Sequence, residues 1–159
     1  MEIHREESMK LRVLIGSGDK IMLLALPFIV AGVALNVLFP SYFAVGSLSA
    51  ALRVIMLALL AAGVAIWFWS VALVIIKVPQ KKLITTGPFA LVKHPIYTAV
   101  SLLVAPAAGI LTNTWLGIAL GAVIYFGSRL YAPAEERILA NIFGIQWQEY
   151  AKRVKIRWI

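Results

Sequence analysis

Charged residues in this chain are confined to a few short stretches, and the gaps between them constrain the fold more than any other feature. No charged residue occurs from Ile21 to Leu52, from Val54 to Ile76, or from Pro95 to Ser128. The first gap is divided by Pro40 and a Ser-Tyr pair, the third by Thr112-Asn113-Thr114. A lipid-exposed backbone must satisfy its own hydrogen bonds, so apolar runs of about 20 residues read as membrane helices. This reading places spans near residues 21–39, 54–76, 96–111 and 115–131. The fold class expected is all-α: a polytopic membrane protein with four transmembrane helices and a C-terminal cytoplasmic, interfacial helical segment. All 159 residues are accounted for as one domain.

Composition agrees. The chain is 62% hydrophobic and 14% charged, against roughly 45–50% and about 25% in soluble domains. That balance excludes a water-soluble globular enzyme, a disordered tail and a fibrous repeat. The formal charge of +8 in so apolar a chain points to orientation and headgroup contact, with no nucleic-acid partner expected. Cysteine is absent, which removes disulfides, thiolate metal sites and cysteine nucleophiles. The charged lead before the first run, and the length of that run, argue against a cleaved signal peptide.

Loop charges set the expected orientation. Lys and Arg gather before the first span (Arg5, Lys10, Arg12, Lys20), after the second (Lys77, Lys81, Lys82, Lys93) and after the fourth (Arg129, Arg137, Lys152, Arg153, Lys155, Arg157). The opposite side has Arg53 alone. By the positive-inside rule both termini and the loop 77–94 are cytoplasmic.

The third and fourth spans make a tight hairpin, with Asn113 or Thr114 available to cap the returning helix. Gly117 and Gly121, and the small residues Ala105, Ala107, Ala108 and Gly109, are read as sites of close helix packing. Pro106 and Pro133 cannot donate to the carbonyls of Leu102 and Arg129, so each is expected to bend or loosen its helix. Beyond Pro133, Ile138, Leu139, Ile142, Phe143 and Ile145 recur at helical spacing. They predict an amphipathic surface helix broken near Gly144, with Trp147 and Tyr150 at headgroup level. Trp67, deep in the second span, is read as core packing or a groove lining.

No ionisable residue lies deep in an apolar run, which disfavours proton-coupled transport. Any chemistry must therefore sit at the cytoplasmic boundary, where two polar clusters lie. One is Lys93-His94-Pro95-Ile96-Tyr97, entering the third span; the other is Glu135-Glu136-Arg137, leaving the fourth. His94 lies 19 residues before Asn113 and Glu135 lies 22 after it, heights of roughly 28 Å and 33 Å at ~1.5 Å per residue. The hairpin should thus lift both clusters to one mouth. Singly each residue has a plainer role: an orienting charge, a helix flank, a first-turn acid. Together, a basic helix start beside an acid pair suits a ligand carrying both charges, such as an amino-acid moiety.

At these residues the sequence resembles the integral-membrane methyltransferases, which include isoprenylcysteine carboxyl methyltransferases and phospholipid N-methyltransferases. T-T-G-P-F-A-L-V-K-H-P-I-Y-T-A, a hydrophobic hairpin, then E-E-R-I-L-A-N-I-F-G-I-Q-W-Q-E-Y parallels the signature R-H-P-x-Y-x-G … E-E over residues 83–154. Lys93 stands for the usual arginine, keeping charge without the bidentate fork. Ala99 stands for glycine, Phe89 for tyrosine, and the tail Val154–Ile159 lacks the relatives' proline pattern. The resemblance implies S-adenosylmethionine as cofactor, held by Lys93, His94, Tyr97, Glu135 and Glu136. It also implies a lipidic acceptor entering from the bilayer, either a prenylated cysteine carboxylate on a small molecule or peptide, or a phospholipid amine. Arg129 and Arg153 are candidate partners for an anionic head. No metal and no catalytic base is assigned. Alternative readings are an NAD(P)H-dependent reductase related to sterol reductases, and a non-enzymatic small transporter or adaptor.

Overall fold

The computed structural model describes residues 18–156, and every regular element among them is helical. The expectations that fell on residues 1–17 and 157–159, including Arg5, Lys10, Arg12 and Arg157, lie outside the described residues. The chain runs through α1 (Gly18–Leu38), a one-turn α2 (Pro40–Phe43) and the long α3 (Ala50–Lys77). A 3-10 turn at Gly87–Ala90 leads to α4 (Pro95–Ala99), a π-helical segment Val100–Val104 and α5 (Ala105–Leu111). Then come α6 (Leu116–Phe143) and α7 (Ile145–Arg153).

Three helices, α1, α3 and α6, are long and apolar enough to cross a membrane, and Pro95–Leu111 forms a shorter apolar helix. Their outward faces carry large exposed side chains, among them Leu23 at 72%, Phe68 at 62% and Phe126 at 68% exposure. In water such continuous apolar faces would drive aggregation; in lipid they are the solvated faces. The protein is a multi-pass integral membrane protein.

The helices pack as a row. α6 lies between α1 and the Pro95–Leu111 helix, and α3 covers the far side of the latter. Small residues set these contacts. A β-carbon on Gly109 would come within 2.6 Å of the Gly117 Cα, and one on Gly121 would collide with the Ser101 carbonyl oxygen. On the other side, a β-carbon on Gly63 of α3 would stand 2.8 Å from that of Leu103. The backbones therefore approach closely, as the glycine spacing implied. Buried hydroxyls are satisfied locally: Ser70 donates to the Ile66 carbonyl at 2.7 Å and Ser101 to that of Thr98 at 3.4 Å.

Pro106 acts as expected. The Leu102 carbonyl loses its usual donor, and the chain shifts to the wider pattern in which Ala105 N–H donates to the Val100 carbonyl. Pro133 does not break its helix, which corrects the expectation of a separate surface helix beginning there. α6 continues unbroken to Phe143. One missing hydrogen bond is outweighed because the helix beyond Pro133 is pinned twice. Glu136 is gripped by side chains of the preceding loop. Leu139, Ala140 and Phe143 pack on Trp147, Tyr150 and Val154. Trp147 and Tyr150 are accordingly buried, at 6% and 5% exposure, against the protein and do not face the lipid. The break does fall at Gly144, whose φ of 52° suits glycine. Trp67 is half-buried and meets Phe68 edge-on at 4.9 Å.

At the hairpin tip, Thr114 Oγ1 accepts from Leu116 N–H at 3.3 Å. Asn113 instead ties the tip to the first loop, accepting from Gly46 N–H at 3.0 Å, and the Trp115 ring lies tilted against that of Phe43 with centroids 5.3 Å apart. Gly121→Val should force the hairpin apart and cost about 1–3 kcal/mol, seen as a lowered melting temperature in detergent. Gly32→Ala, whose new β-carbon would meet open space, should leave melting unchanged or slightly raised.

Candidate functional site

The close-packed hairpin fixes the height of the two polar clusters, and their side chains meet. Lys93 Nζ lies 2.5 Å from Glu136 Oε1, and His94 Nε2 lies 3.2 Å from the same oxygen. The Tyr97 hydroxyl donates to Glu135 Oε2 at 3.4 Å, and the His94 and Tyr97 rings lie nearly parallel with centroids 5.9 Å apart. All five residues expected at the mouth are thus brought together, more than 35 positions apart in sequence. Side-chain exposure is 17% for Lys93, 9% for His94 and 27% for Glu136. The cluster is shielded from solvent without being sealed off from it.

Local structure explains the placement. Gly87 adopts φ 62°, and a side chain there would press on Trp69 and Leu73 of α3. This glycine lets the loop turn tightly over the end of α3 before the buried Pro88. Pro95 then starts α4 with a fixed φ, so His94 sits at the helix entrance and its carbonyl receives Thr98 N–H at 3.1 Å and Thr98 Oγ1 at 2.9 Å. The imidazole makes no capping bond and is free of the backbone to face Glu136. Glu135 and Glu136 are successive on α6, about 100° apart around its axis, so one meets Tyr97 while the other meets Lys93 and His94.

The first turn of α1 closes another side. A β-carbon on Gly18 would stand 3.7 Å from the Tyr97 hydroxyl, and Ile21, Ala25 and Ile124 form a small core against Tyr97, Val100, Leu120 and Tyr131. Behind the loop, buried Tyr150 donates its hydroxyl to the Phe89 carbonyl at 2.8 Å, and Ile156 N–H donates to the Leu91 carbonyl at 3.0 Å. Val92 and Ile156 form an isolated parallel bridge. Burial, with the Glu136 charge as a smaller influence, pushes the Tyr150 phenol well above its ordinary pKa. It therefore remains a donor across the whole physiological range. The sequence placed Tyr150 at the surface; its signal as an anchor was the Trp147-x-x-Tyr150 spacing, which puts two aromatics on one face.

The two arginines suggested for an anionic head are both exposed. Arg129 is exposed, seven residues before Glu136 on α6. Arg153 is exposed and pairs with Glu149 at 3.4 Å on α7, where it lines a separate cavity whose lining includes none of the five cluster residues. No group of three or more metal-ligating acids and histidines occurs among the described residues.

Chemically, the cluster offers an ammonium, an imidazole and a phenol beside two carboxylates. Both Lys93 and His94 converge on one oxygen of Glu136, leaving Oε2 outside that pair. The arrangement suits a ligand that brings both a carboxylate and an ammonium, because each can exchange into half of an existing ion pair.

No solved structure matches the chain. Among curated proteins it is similar to Protein-S-isoprenylcysteine O-methyltransferase B of Arabidopsis thaliana, with 35% identity over 75 residues. That alignment covers 46% of this chain and 37% of the relative, so the chain spans little more than a third of the length of the protein it matches. The family model for the isoprenylcysteine carboxyl methyltransferase (ICMT) family matches residues 44–141, which include α3, the whole hairpin and all five residues of the cluster. With more than half of its length so matched, the chain belongs to the isoprenylcysteine carboxyl methyltransferase family.

Proposed function

We propose that the protein is an S-adenosylmethionine-dependent methyltransferase whose acceptor is the carboxylate of a prenylated cysteine held in the bilayer. The observation that carries this reading is the convergence of Lys93 and His94 on Glu136, within a chain of this family. The donor set fits the cofactor's amino-acid end: Lys93 and His94 for its carboxylate, Glu136 for its ammonium, with Tyr97 and Glu135 beside them. When bound, S-adenosylmethionine supplies a methyl group on a sulfonium, to be lost by in-line displacement.

The protein's own residues have orienting work to do rather than acid–base work. A carboxylate acceptor is already ionised at neutral pH and needs no general base, whereas a phospholipid amine must first be deprotonated. No base was assigned from the sequence, and this favours the carboxylate over the amine. Lys93, a point charge, holds an anionic group without dictating its plane. His94 and Tyr97, nearly parallel, form a wall. The close-packed hairpin beneath them keeps water away from that side, and alignment with exclusion of water supplies most of what a displacement of this kind requires. The relative's printed name specifies isoprenylcysteine as the group methylated there, and the apolar flanks of α1 and α6 give a prenyl chain a path along the bilayer.

The same reading includes four membrane crossings with both termini cytoplasmic. The Pro95–Leu111 helix is short but pairs with α6 over its whole length and ends at the tip bound to the first loop. Among the described residues, Lys20, Lys77, Lys81, Lys82, Lys93, Lys152 and Arg153 fall toward the opposite end. The chain contains no cysteine, so single-cysteine variants report sidedness directly. Lys82→Cys should react with a membrane-impermeant maleimide only from the cytoplasmic side, and Asn113→Cys only from the other. Labelling of both from one side would refute four crossings.

Isothermal titration in detergent should show S-adenosylmethionine binding that falls about ten-fold or more in Glu136→Ala and His94→Ala, since each removes a hydrogen bond involving a charged group. Glu135→Ala, whose contact to Tyr97 is longer at 3.4 Å, should fall less. Unchanged affinity in both of the first two variants would exclude this site. Supplied with a labelled methyl donor and an N-acetylated farnesylcysteine, the protein should form a product that releases its label in mild base, as an ester does. A base-stable product would identify an amine acceptor instead.

A further inference from the structure

A cavity of about 700 Å³ opens between the loop after α3 and one face of α7. Its rim carries Lys81, Lys82 and Arg153 together with Thr85, and Glu149 is the carboxylate in the lining. Glu149 pairs with Arg153 at 3.4 Å, but the two side chains are 59% and 79% exposed. Such a pair is weakly held and readily exchanged. The rim is therefore net cationic with one hydroxyl donor.

Two features indicate a built site. Lys81 sits at φ 54°, in the left-handed region. It closes the end of α3, its N–H donating to the Val78 carbonyl at 3.0 Å while Lys82 N–H donates to that of Lys77 at 3.3 Å. Glycine is the residue that this position favours. A lysine there retains a positive charge on the rim at the expense of backbone strain, and strain of this kind gathers at ligand sites. The wall is also fixed in advance. Buried Tyr150 and Val154 form part of it, and the Tyr150 hydroxyl ties α7 to the loop through the Phe89 carbonyl. Lys81 lies only four residues beyond the end of α3, so the cavity stands at the membrane boundary, the level of lipid headgroups.

We propose that this cavity binds a phosphate group, with an anionic lipid headgroup as the source its position favours. The proposal stands apart from methyl transfer, because none of Lys93, His94, Tyr97, Glu135 and Glu136 lines the cavity. Cations near a membrane surface each contribute modestly to attracting an anionic headgroup, so the effect must be read from several single changes.

The test uses the full chain in dodecyl maltoside, titrated with dihexanoyl phosphatidic acid, inorganic phosphate and dihexanoyl phosphatidylcholine. Phosphatidic acid should bind saturably and phosphatidylcholine should not. Lys82→Gln and Arg153→Gln should each weaken binding about five-fold, while Lys155→Gln, outside the lining, should not. Lys81→Gly should weaken binding yet raise the melting temperature, because glycine relieves the left-handed strain. A purely structural lysine would not give that split. Inorganic phosphate binding as tightly as the lipid would support a phosphate site but assign it to the soluble ion. The proposal is overturned if the rim variants bind like the parent protein, if Lys155→Gln is equally affected, or if S-adenosylmethionine displaces the lipid.

Discussion

Backbone contact between α6 and the Pro95–Leu111 helix is the constraint on which the rest of the structure depends. Helices in lipid gain little from burying apolar surface against one another, because the lipid is as apolar as they are. What remains is close packing, which requires small residues on both sides. Gly109 meets Gly117 near the tip, and Gly121, about one turn further along α6, meets the Ser101 carbonyl. A hairpin held at two such points cannot slide by a residue without driving a side chain into backbone. Its register is therefore fixed, and so is the level at which Lys93 and His94 face Glu136.

That level lies where charge can be kept at tolerable cost. Deeper in the bilayer a lysine–glutamate pair would bear a large desolvation penalty, and fully in water it would contribute little. At 17% and 27% exposure the pair is shielded enough to be specific and open enough to exchange partners. The π-helical segment at Val100–Val104 begins one turn inside this mouth. It is the local answer to Pro106, and it lets the helix carry that proline without parting from α6.

Much of this was legible in the sequence, for physical reasons. Charge-free runs mark lipid-facing helices because the penalty for a charge in hydrocarbon is steep. The convergence of His94 with the Glu135-Glu136 doublet followed from rise per residue on either side of Asn113. The division of labour within the doublet did not follow. Which carboxylate meets Lys93 depends on rotation of α6 about its axis, and that is set by glycine contacts that spacing alone cannot orient. Pro133 was misleading because a proline removes one hydrogen bond, whereas continuation of the helix was decided by tertiary grips on Glu136 and on the face of Leu139 and Phe143. Trp147 and Tyr150 looked interfacial by composition. Their burial depends on the loop 83–92 folding back under them, a long-range contact without periodic signal.

The C-terminal segment completes the mouth from outside the hairpin. A loop of some 17 residues joins α3 to α4, and a loop of that length would not by itself hold Lys93 and His94 in place. Three contacts remove that freedom: the glycine turn over Trp69, the Tyr150 hydroxyl on the Phe89 carbonyl, and the Ile156 amide on the Leu91 carbonyl. The last lies two residues from Lys93. In the proposed displacement, whose carboxylate acceptor would need no general base, placement of the charged groups is the main lever the protein would have over rate. The methyltransferase reading thus asks of α7 and the segment after it the same thing that it asks of the glycines in the hairpin. Both fix where a lysine and a histidine stand relative to one glutamate.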